Sequence, residues 1–528
     1  MKKLFFATIA TLAMMPAMAQ DTYESARLIG GDLNGTARYV GMGGALEALG
    51  ADISTIGTNP AGVGLFRRSS VNISFGAVSQ QGATKFDNLS KTNMSFDQVG
   101  FVYSSRMDED SYINFAFNLH KSRNFDQILS AANRLGGISQ NGLTYHKATK
   151  GNAHTGGYTL DFNNQDEVIG YENETSDWRA QTYSQSDYLN ANMLLLHPDD
   201  QNFYWTGADS YGFDRAHRGY IYDYDFNLSG NANNRVYWGL TFGVRDAHYK
   251  GYSEYIEGLV DADGHDAGTV VVGDERRIKG YGFNVKAGVI VRPIEESAFR
   301  VGLSVATPTW YDLTSENTTE MLNNSHYGSW KEGTTSESYD FKFFTPWQFG
   351  VSLGHTIGSM LALGASYEYA DYGASKNRIK DGYDYYGDED SFTDELMKRN
   401  AEYSLKGVST IKLGAELKPV PELAVRLGYN YVTAAYDKNG VRDMMIDSPG
   451  VMYASTTDYT NWGDTHRITS GLGFKAGKMN IDLAYQYSMT KGDFHPLQDY
   501  QNVGSSYNGV TSVDFKRHQL LLTLGYTF

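Results

Sequence analysis

The chain closes on LLLTLGYTF, residues 520–528. Leu520, Leu522, Leu524, Tyr526 and Phe528 share one parity, and Leu521, Thr523, Gly525 and Thr527 share the other. A repeat of two is the mark of an extended strand with one apolar face. Chain ends are ordinarily frayed and polar. An amphipathic strand that runs to the last residue therefore implies a terminus locked into a sheet, with its final aromatic on the apolar side.

The opposite end narrows the class. Lys2 and Lys3 precede an apolar run from Leu4, and Ala17-Met18-Ala19 follows it. This is a basic region, an apolar region and a small-residue cleavage site, so residues 1–19 read as a signal peptide and Gln20 as the start of the mature chain. The run is shorter than the ~20 apolar residues of a spanning helix. Cysteine is absent, which excludes a lipoprotein anchor, disulfides and thiolate metal sites. Loss of the two lysines takes the formal charge from -16 to -18, a balance that argues against nucleic acid as a partner. The 528 residues contain 39 Tyr, 26 Phe and 57 Gly but only 10 Pro. Mean hydropathy is -0.44. A transmembrane β-barrel accounts for both facts, because only alternate residues of its strands face lipid and aromatics gather at its two interfaces.

Alternation recurs along the chain in pairs separated by short turns. Val71 to Ala77, Val99 to Tyr103 and Ile113 to Leu119 mark the first three strands. Tyr220 to Leu228 turns into Val236 to Val244, and Tyr281 to Val291 into Phe299 to Val305. Trp347 to Leu353, Leu361 to Tyr369, Ile411 to Leu417, Leu423 to Tyr431, Ile468 to Phe474 and Met479 to Tyr487 precede the closing strand. The count is about fourteen, an even number as bacterial barrels require. The pattern predicts an all-β protein: a transmembrane antiparallel barrel over 69–528. Short turns would lie in the periplasm and long polar loops outside, the largest over 121–218. The last strand must pair with the first, because lipid cannot satisfy an open strand edge. Tyr526 and Phe528 then read as the signal for insertion by the barrel-assembly machinery.

Residues 20–68 are too long for a simple tail. They hold six glycines from Gly30 to Gly44 and a candidate short helix near Ala45 to Leu49. Small residues permit close packing, so this stretch is expected to plug the lumen. Within it, GALEALGADISTIGTNPAGVGLFRRSSVNIS resembles the N-terminal hatch and first strand of the FadL-type outer-membrane transporters for long-chain fatty acids and other hydrophobic compounds. Ala51-Asp52, Ser54-Thr55 and above all Asn59-Pro60-Ala61-Gly62 carry the resemblance. SVATPTWYDLT and FFTPWQFGVSLG look like the same family. The resemblance implies passive uptake of a hydrophobic or amphipathic small molecule across the outer membrane of a Gram-negative bacterium. It further implies an external groove and a lateral gap at a kinked third strand. The third strand here, 111–120, has no proline or glycine to mark a kink. Some relatives of the superfamily serve secretion or surface assembly without transport, which stays open as an alternative. The ligand class (fatty acid, aromatic hydrocarbon or porphyrin) is also left open.

Lys286, Arg300, Glu368, Glu416, Arg426 and Arg467 have the lumen parity of their strands. Lys286, Arg426 and Arg467 lie deeper than the rest and are candidates to hold a ligand carboxylate through a charge-assisted bond. The competing reading is that these charges solvate the lumen or pair with one another and the hatch. No Ser/His/Asp, metal-ligand or paired-carboxylate constellation stands at mechanistic spacing. The expectation is a monomeric, non-enzymatic barrel with no cofactor and no metal. DADGHD at 261–266 has Val272 where a calcium loop needs a bidentate glutamate, so it reads as a solvated turn.

Overall fold

The computed structural model describes residues 21–528 apart from 151–157, 163–167, 174–183, 196–203, 327, 334–336, 384–388, 447 and 499–508. The expected signal peptide lies outside the described residues. Fourteen antiparallel strands form one closed transmembrane barrel. They are β1 (Ser70–Gln80), β2 (Thr92–Asp108), β3 (Ser111–Asn124), β4 (Gly207–Ala232), β5 (Val236–Val260), β6 (Asp266–Val291) and β7 (Arg300–Ala306). β8 (Gln348–Ile357), β9 (Leu361–Asp371), β10 (Gly407–Val420), β11 (Leu423–Val432), β12 (Tyr459–Ala476), β13 (Met479–His495) and β14 (Thr511–Thr527) complete it. Each strand pairs with its neighbours in this order, and β14 closes the ring on β1 from Ser70↔Thr527 to Gln80↔Arg517.

The terminal strand behaves as its alternation requires. Leu520, Leu522, Leu524, Tyr526 and Phe528 are 38–63% exposed on the outer face, whereas Leu521 and Thr523 are at most 2% exposed on the inner face. The Phe528 N–H donates to the Ser69 carbonyl at 3.0 Å, so hydrogen bonding continues to the last residue. All fourteen strands contribute to the same outer apolar belt, among them Phe101, Phe115, Phe226, Leu240, Leu413 and Ile481. Only lipid makes such a belt favourable, since exposed apolar area of this extent is costly in water. Replacing Phe528 with Asp puts a charge in that belt and removes the terminal aromatic. The variant is expected to accumulate less heat-modifiable, folded barrel in membranes. Wild-type levels of the heat-shifted gel band would count against a role for Phe528 in insertion.

The wall is uneven in height. β4, β5 and β6 run for 26, 25 and 26 residues, against the ~9–11 that span a bilayer. The connection expected over 121–218 narrows to 125–206. β4 already begins at Gly207, and a strand at Gln127–Arg134 pairs with it. The upper halves of these strands face an apolar core outside the membrane band, including Leu129, Leu135, Leu189, Phe213, Tyr255 and Phe494. Covered by protein on one side and water on the other, they lack the lipid-type alternation. At the other extreme β7 has only 7 residues. Beyond it, Thr307-Pro308 and Thr345-Pro346 mark where β7 and β8 part, since proline offers no N–H to continue a ladder. Trp310–Ser325 then takes over the free edge of β6 from Phe283 to Gly268.

Residues 21–66 lie inside the barrel, built from helices Thr22–Ala26 and Ala37–Gly41 and 3-10 turns Ile53–Gly57 and Pro60–Leu65. The helix expected near Ala45–Leu49 is instead a run of turns. Gly43 and Gly44 take φ of 63° and 84°, which ends the helix at Gly41 and reverses the chain. Thr36 caps that helix at the Tyr39 N–H (3.1 Å), and the Ala37 N–H donates to Thr523 Oγ1 of β14 at 2.7 Å.

Candidate functional site

Asn59-Pro60-Ala61-Gly62 is a docking motif. Asn59 Oδ1 accepts the Ala61 N–H at 3.1 Å and caps the 3-10 turn that Pro60 begins. The turn rests on a patch of wall glycines. A Cβ at Gly239 would overlap the Pro60 carbonyl, and one at Gly288 would overlap the Asn59 side chain. Higher up, a Cβ at Gly364 would overlap the Ala45 carbonyl and one at Gly428 would overlap the Gly43 nitrogen. Such close approach of the segment is possible because the wall carries glycine at each of these points.

Ion pairs complete the attachment. Lys412 Nζ lies 2.7 Å from Glu47 and 2.6 Å from Glu368, all at the segment–wall boundary. Glu416 receives Arg38 of the segment at 3.1 Å and Arg426 of the wall at 2.7 Å, and Arg426 also donates to Asp482 at 2.6 Å. Arg300 donates to the Leu49 carbonyl at 2.8 Å. Lys286 Nζ is 3.1 Å from Asp225 and 3.8 Å from Asp223. The carboxylates of Asp223 and Asp225 converge with His120 within 4.8 Å, as metal ligands do, but Lys286 and Arg245 (3.2 Å from Asp223) already supply their countercharge. Of the three candidate ligand-holding cations, Lys286 and Arg426 are thus held by wall carboxylates. Arg467 is different. It donates to Asn430 at 2.7 Å, reaches Asp32 only at 4.0 Å, and keeps its Nε buried without a hydrogen bond.

The third strand carries a break that the sequence did not mark. β2 pairs with β3 only from Gln98↔His120 to Asp108↔Ser111. Above that point Asp97 bulges out of the β1–β2 ladder, and Ser122 bulges out of the β3–β4 ladder. Among the described residues, Thr92–Asp97 has no strand partner on the β3 side. The N-terminal segment bonds across this break. The Asp32 N–H donates to the Ser122 carbonyl at 2.8 Å, and Asp32 Oδ2 accepts the Asn124 N–H at 2.9 Å. Asn34 Nδ2 donates to Asp97 at 2.9 Å and to the Lys121 carbonyl at 3.0 Å. Lys121 Nζ reaches Ser95 at 2.7 Å, and the Tyr222 hydroxyl donates to the Phe96 carbonyl at 2.8 Å. Side chains and one turn of the segment thus replace a missing stretch of sheet.

Two cavities adjoin the sealed break. One, of ≈ 180 Å³, lies nearer the short turns and is lined by Leu33, Asn34, Ser122, Glu368 and Lys412 among others. The second, of ≈ 220 Å³, lies nearer the long loops. Gly31, Asp32, Tyr372, Val408, Val432 and Arg467 line both and so form the partition between them. Burial pushes the Asp32 carboxyl up, but the guanidinium groups of Arg517, Arg123 and Arg467 outweigh it and hold the group at about 2, below its ordinary 3.8. A depressed carboxyl pKa adds stability above the unfolded value and loses it only as pH falls through the folded one. The partition is therefore charged at every pH near neutrality.

No family model and no curated protein matches this chain. Solved structures do. The toluene transporter TbuX of Ralstonia pickettii superposes with a TM-score of 0.46 at 12% identity, over 94% of this chain and 99% of that one. The monoaromatic hydrocarbon channel CymD gives 0.46 at 9% identity over 95% and 98%. A Pseudomonas aeruginosa FadL homologue gives 0.44 at 10% identity over 97% and 98%.

Proposed function

We propose that the chain is an outer-membrane channel of a Gram-negative bacterium for passive uptake of hydrophobic or amphipathic small molecules, with residues 20–68 as its hatch. The observation that supports this reading best is the break between β2 and β3, closed by Asp32 and Asn34 and flanked by both cavities. A solute in the lumen would leave sideways into the membrane once those few bonds open. An apolar body that takes this route never crosses bulk water, so its burial is not lost on the way.

The test uses the absence of native cysteine. Cells carrying Asn34→Cys/Asp97→Cys should take up radiolabelled oleate saturably. Bridging the pair with a short bis-maleimide should stop uptake, while the unbridged single variants continue. Unimpaired uptake after bridging would rule out the lateral route. Absence of uptake in every form, with a stoichiometric protein partner co-purifying, would favour an adaptor for secretion or surface assembly.

A further inference from the structure

The cavity nearer the long loops is lined by five arginines drawn from distant parts of the chain: Arg27, Arg123, Arg215, Arg467 and Arg517. Only two carboxylates line it, Asp32 and Asp126. Arg215 is answered from outside the lining by Asp458 at 2.5 Å. Arg27 donates to the Tyr249 hydroxyl, a neutral partner. Arg517 reaches Asp32 at 3.4 Å, and Arg467 reaches it at 4.0 Å. Among the described residues Arg123 makes no hydrogen bond or ion pair. Once Asp458 has balanced Arg215, the lining keeps two guanidinium charges in excess of its carboxylates.

Unbalanced cations are costly in such a place. Arg517 and Arg467 are 5% and 8% exposed, and the Nε of each is buried without a hydrogen bond. An unpaired charge out of water loses solvation that nothing in the wall returns. Planar forked donors converging on one space suit carboxylate or phosphoryl oxygens, which take up such N–H pairs bidentately. The same cavity is bordered by the rings of Phe125, Tyr372, Trp462 and Phe515, a surface for a flat or apolar body.

We infer that this cavity is a binding site for a compact organic dianion, carrying two carboxylates or one phosphoryl group on an aromatic or apolar body. The inference rests on the reading that the lumen admits small molecules, and it concerns what this cavity holds, since a dianion cannot leave sideways into hydrocarbon as an apolar body can. Two negative charges match the excess. A monoanion leaves one guanidinium unanswered, and a neutral hydrocarbon leaves both.

The test is calorimetric titration of the full barrel in detergent with phthalate, benzoate, dimethyl phthalate and inorganic phosphate. Phthalate should bind, benzoate should bind roughly tenfold to hundredfold more weakly for the loss of one charge-assisted contact, and the dimethyl ester should give no saturable heat. Arg123→Ala should weaken phthalate by a similar factor while keeping the heat-dependent gel shift of a folded barrel, because Arg123 ties no wall element to another. Failure of phthalate to bind, equal affinity for its dimethyl ester, or full affinity in Arg123→Ala would overturn the proposal. Inorganic phosphate binding as tightly as phthalate would overturn the part assigned to the aromatic wall. Titration does not depend on transport. Phthalate binding in a barrel that takes up no solute would sink the uptake reading and leave the site standing; uptake of oleate with no phthalate binding would do the reverse.

Discussion

Deletion of residues 20–62 is expected to turn a nearly closed barrel into an open pore. In planar bilayers the truncated chain should show a several-fold larger and steadier conductance than the full chain, and it should still give a heat-modifiable band. The first expectation follows from volume. The segment fills the lumen from Asp21 to Phe66, with Leu46, Ile53, Ala61 and Val63 all fully buried. The second follows from the polarity of the inner wall. Thr523, Glu416 and Lys412 lose their bonds to the segment, but water entering an open barrel can replace them, as it does in polar-lined pores. The fourteen-strand ladder needs no hydrogen bond from the segment to close, because β14 pairs directly with β1. Conductance identical to that of the full chain would mean that the segment does not occlude the pore.

A second large effect is expected from Lys412→Ala. Lys412 is 5% exposed and Glu47 3% exposed, and the ammonium lies between the carboxylates of Glu47 and Glu368. Removing it leaves two carboxylates facing each other beside the segment. Loss of one partner from a buried ion pair costs about 3–5 kcal/mol, much of it the penalty of the charge left behind. The variant should unfold at distinctly lower urea and leak current as Glu47 pulls away from the wall. Adding Glu47→Gln and Glu368→Gln to Lys412→Met should recover most of the loss, since neutral groups of similar size carry no such penalty. A urea midpoint equal to wild type for Lys412→Ala would show that water already reaches this triad. A triple variant as unstable as the single one would point to lost packing instead of charge.

The two results bear on different links. The deletion asks whether the segment blocks the lumen, and the lysine variant asks what holds it there. Together they separate a segment that is merely lodged from one that is electrostatically fastened. Glycine contacts such as Gly364 with Ala45 and Gly428 with Gly43 supply the fit in either case.

Sequence periodicity by itself determined the barrel, its strand number and the face that meets lipid. Each of those rests on a local rule: side chains of a strand alternate, and in lipid the outward set must be apolar. The closing strand shows this most directly, since Leu520 through Phe528 point outward as their parity requires. Asn59-Pro60-Ala61-Gly62 stood out in the sequence only through its resemblance to a family hatch; the Asn59 cap on the Pro60 turn is what the structure adds. The candidate site was legible only in part. Arg467 was found by its lumen parity, and Arg517 could have been found by the same parity, two strand steps from Leu521. Arg123 could not, because the bulge at Ser122 shifts the phase of its strand. The height of β4, β5 and β6 was hidden because their upper halves face protein and water, so the lipid code does not apply there. Only the tertiary structure decided that Arg27, Arg123, Arg215, Arg467 and Arg517 share one cavity, and that Asp32 and Asn34 close the break between β2 and β3. Both depend on bringing residues far apart in the chain into contact, and a charge or a bulge carries no local period that announces its distant partner.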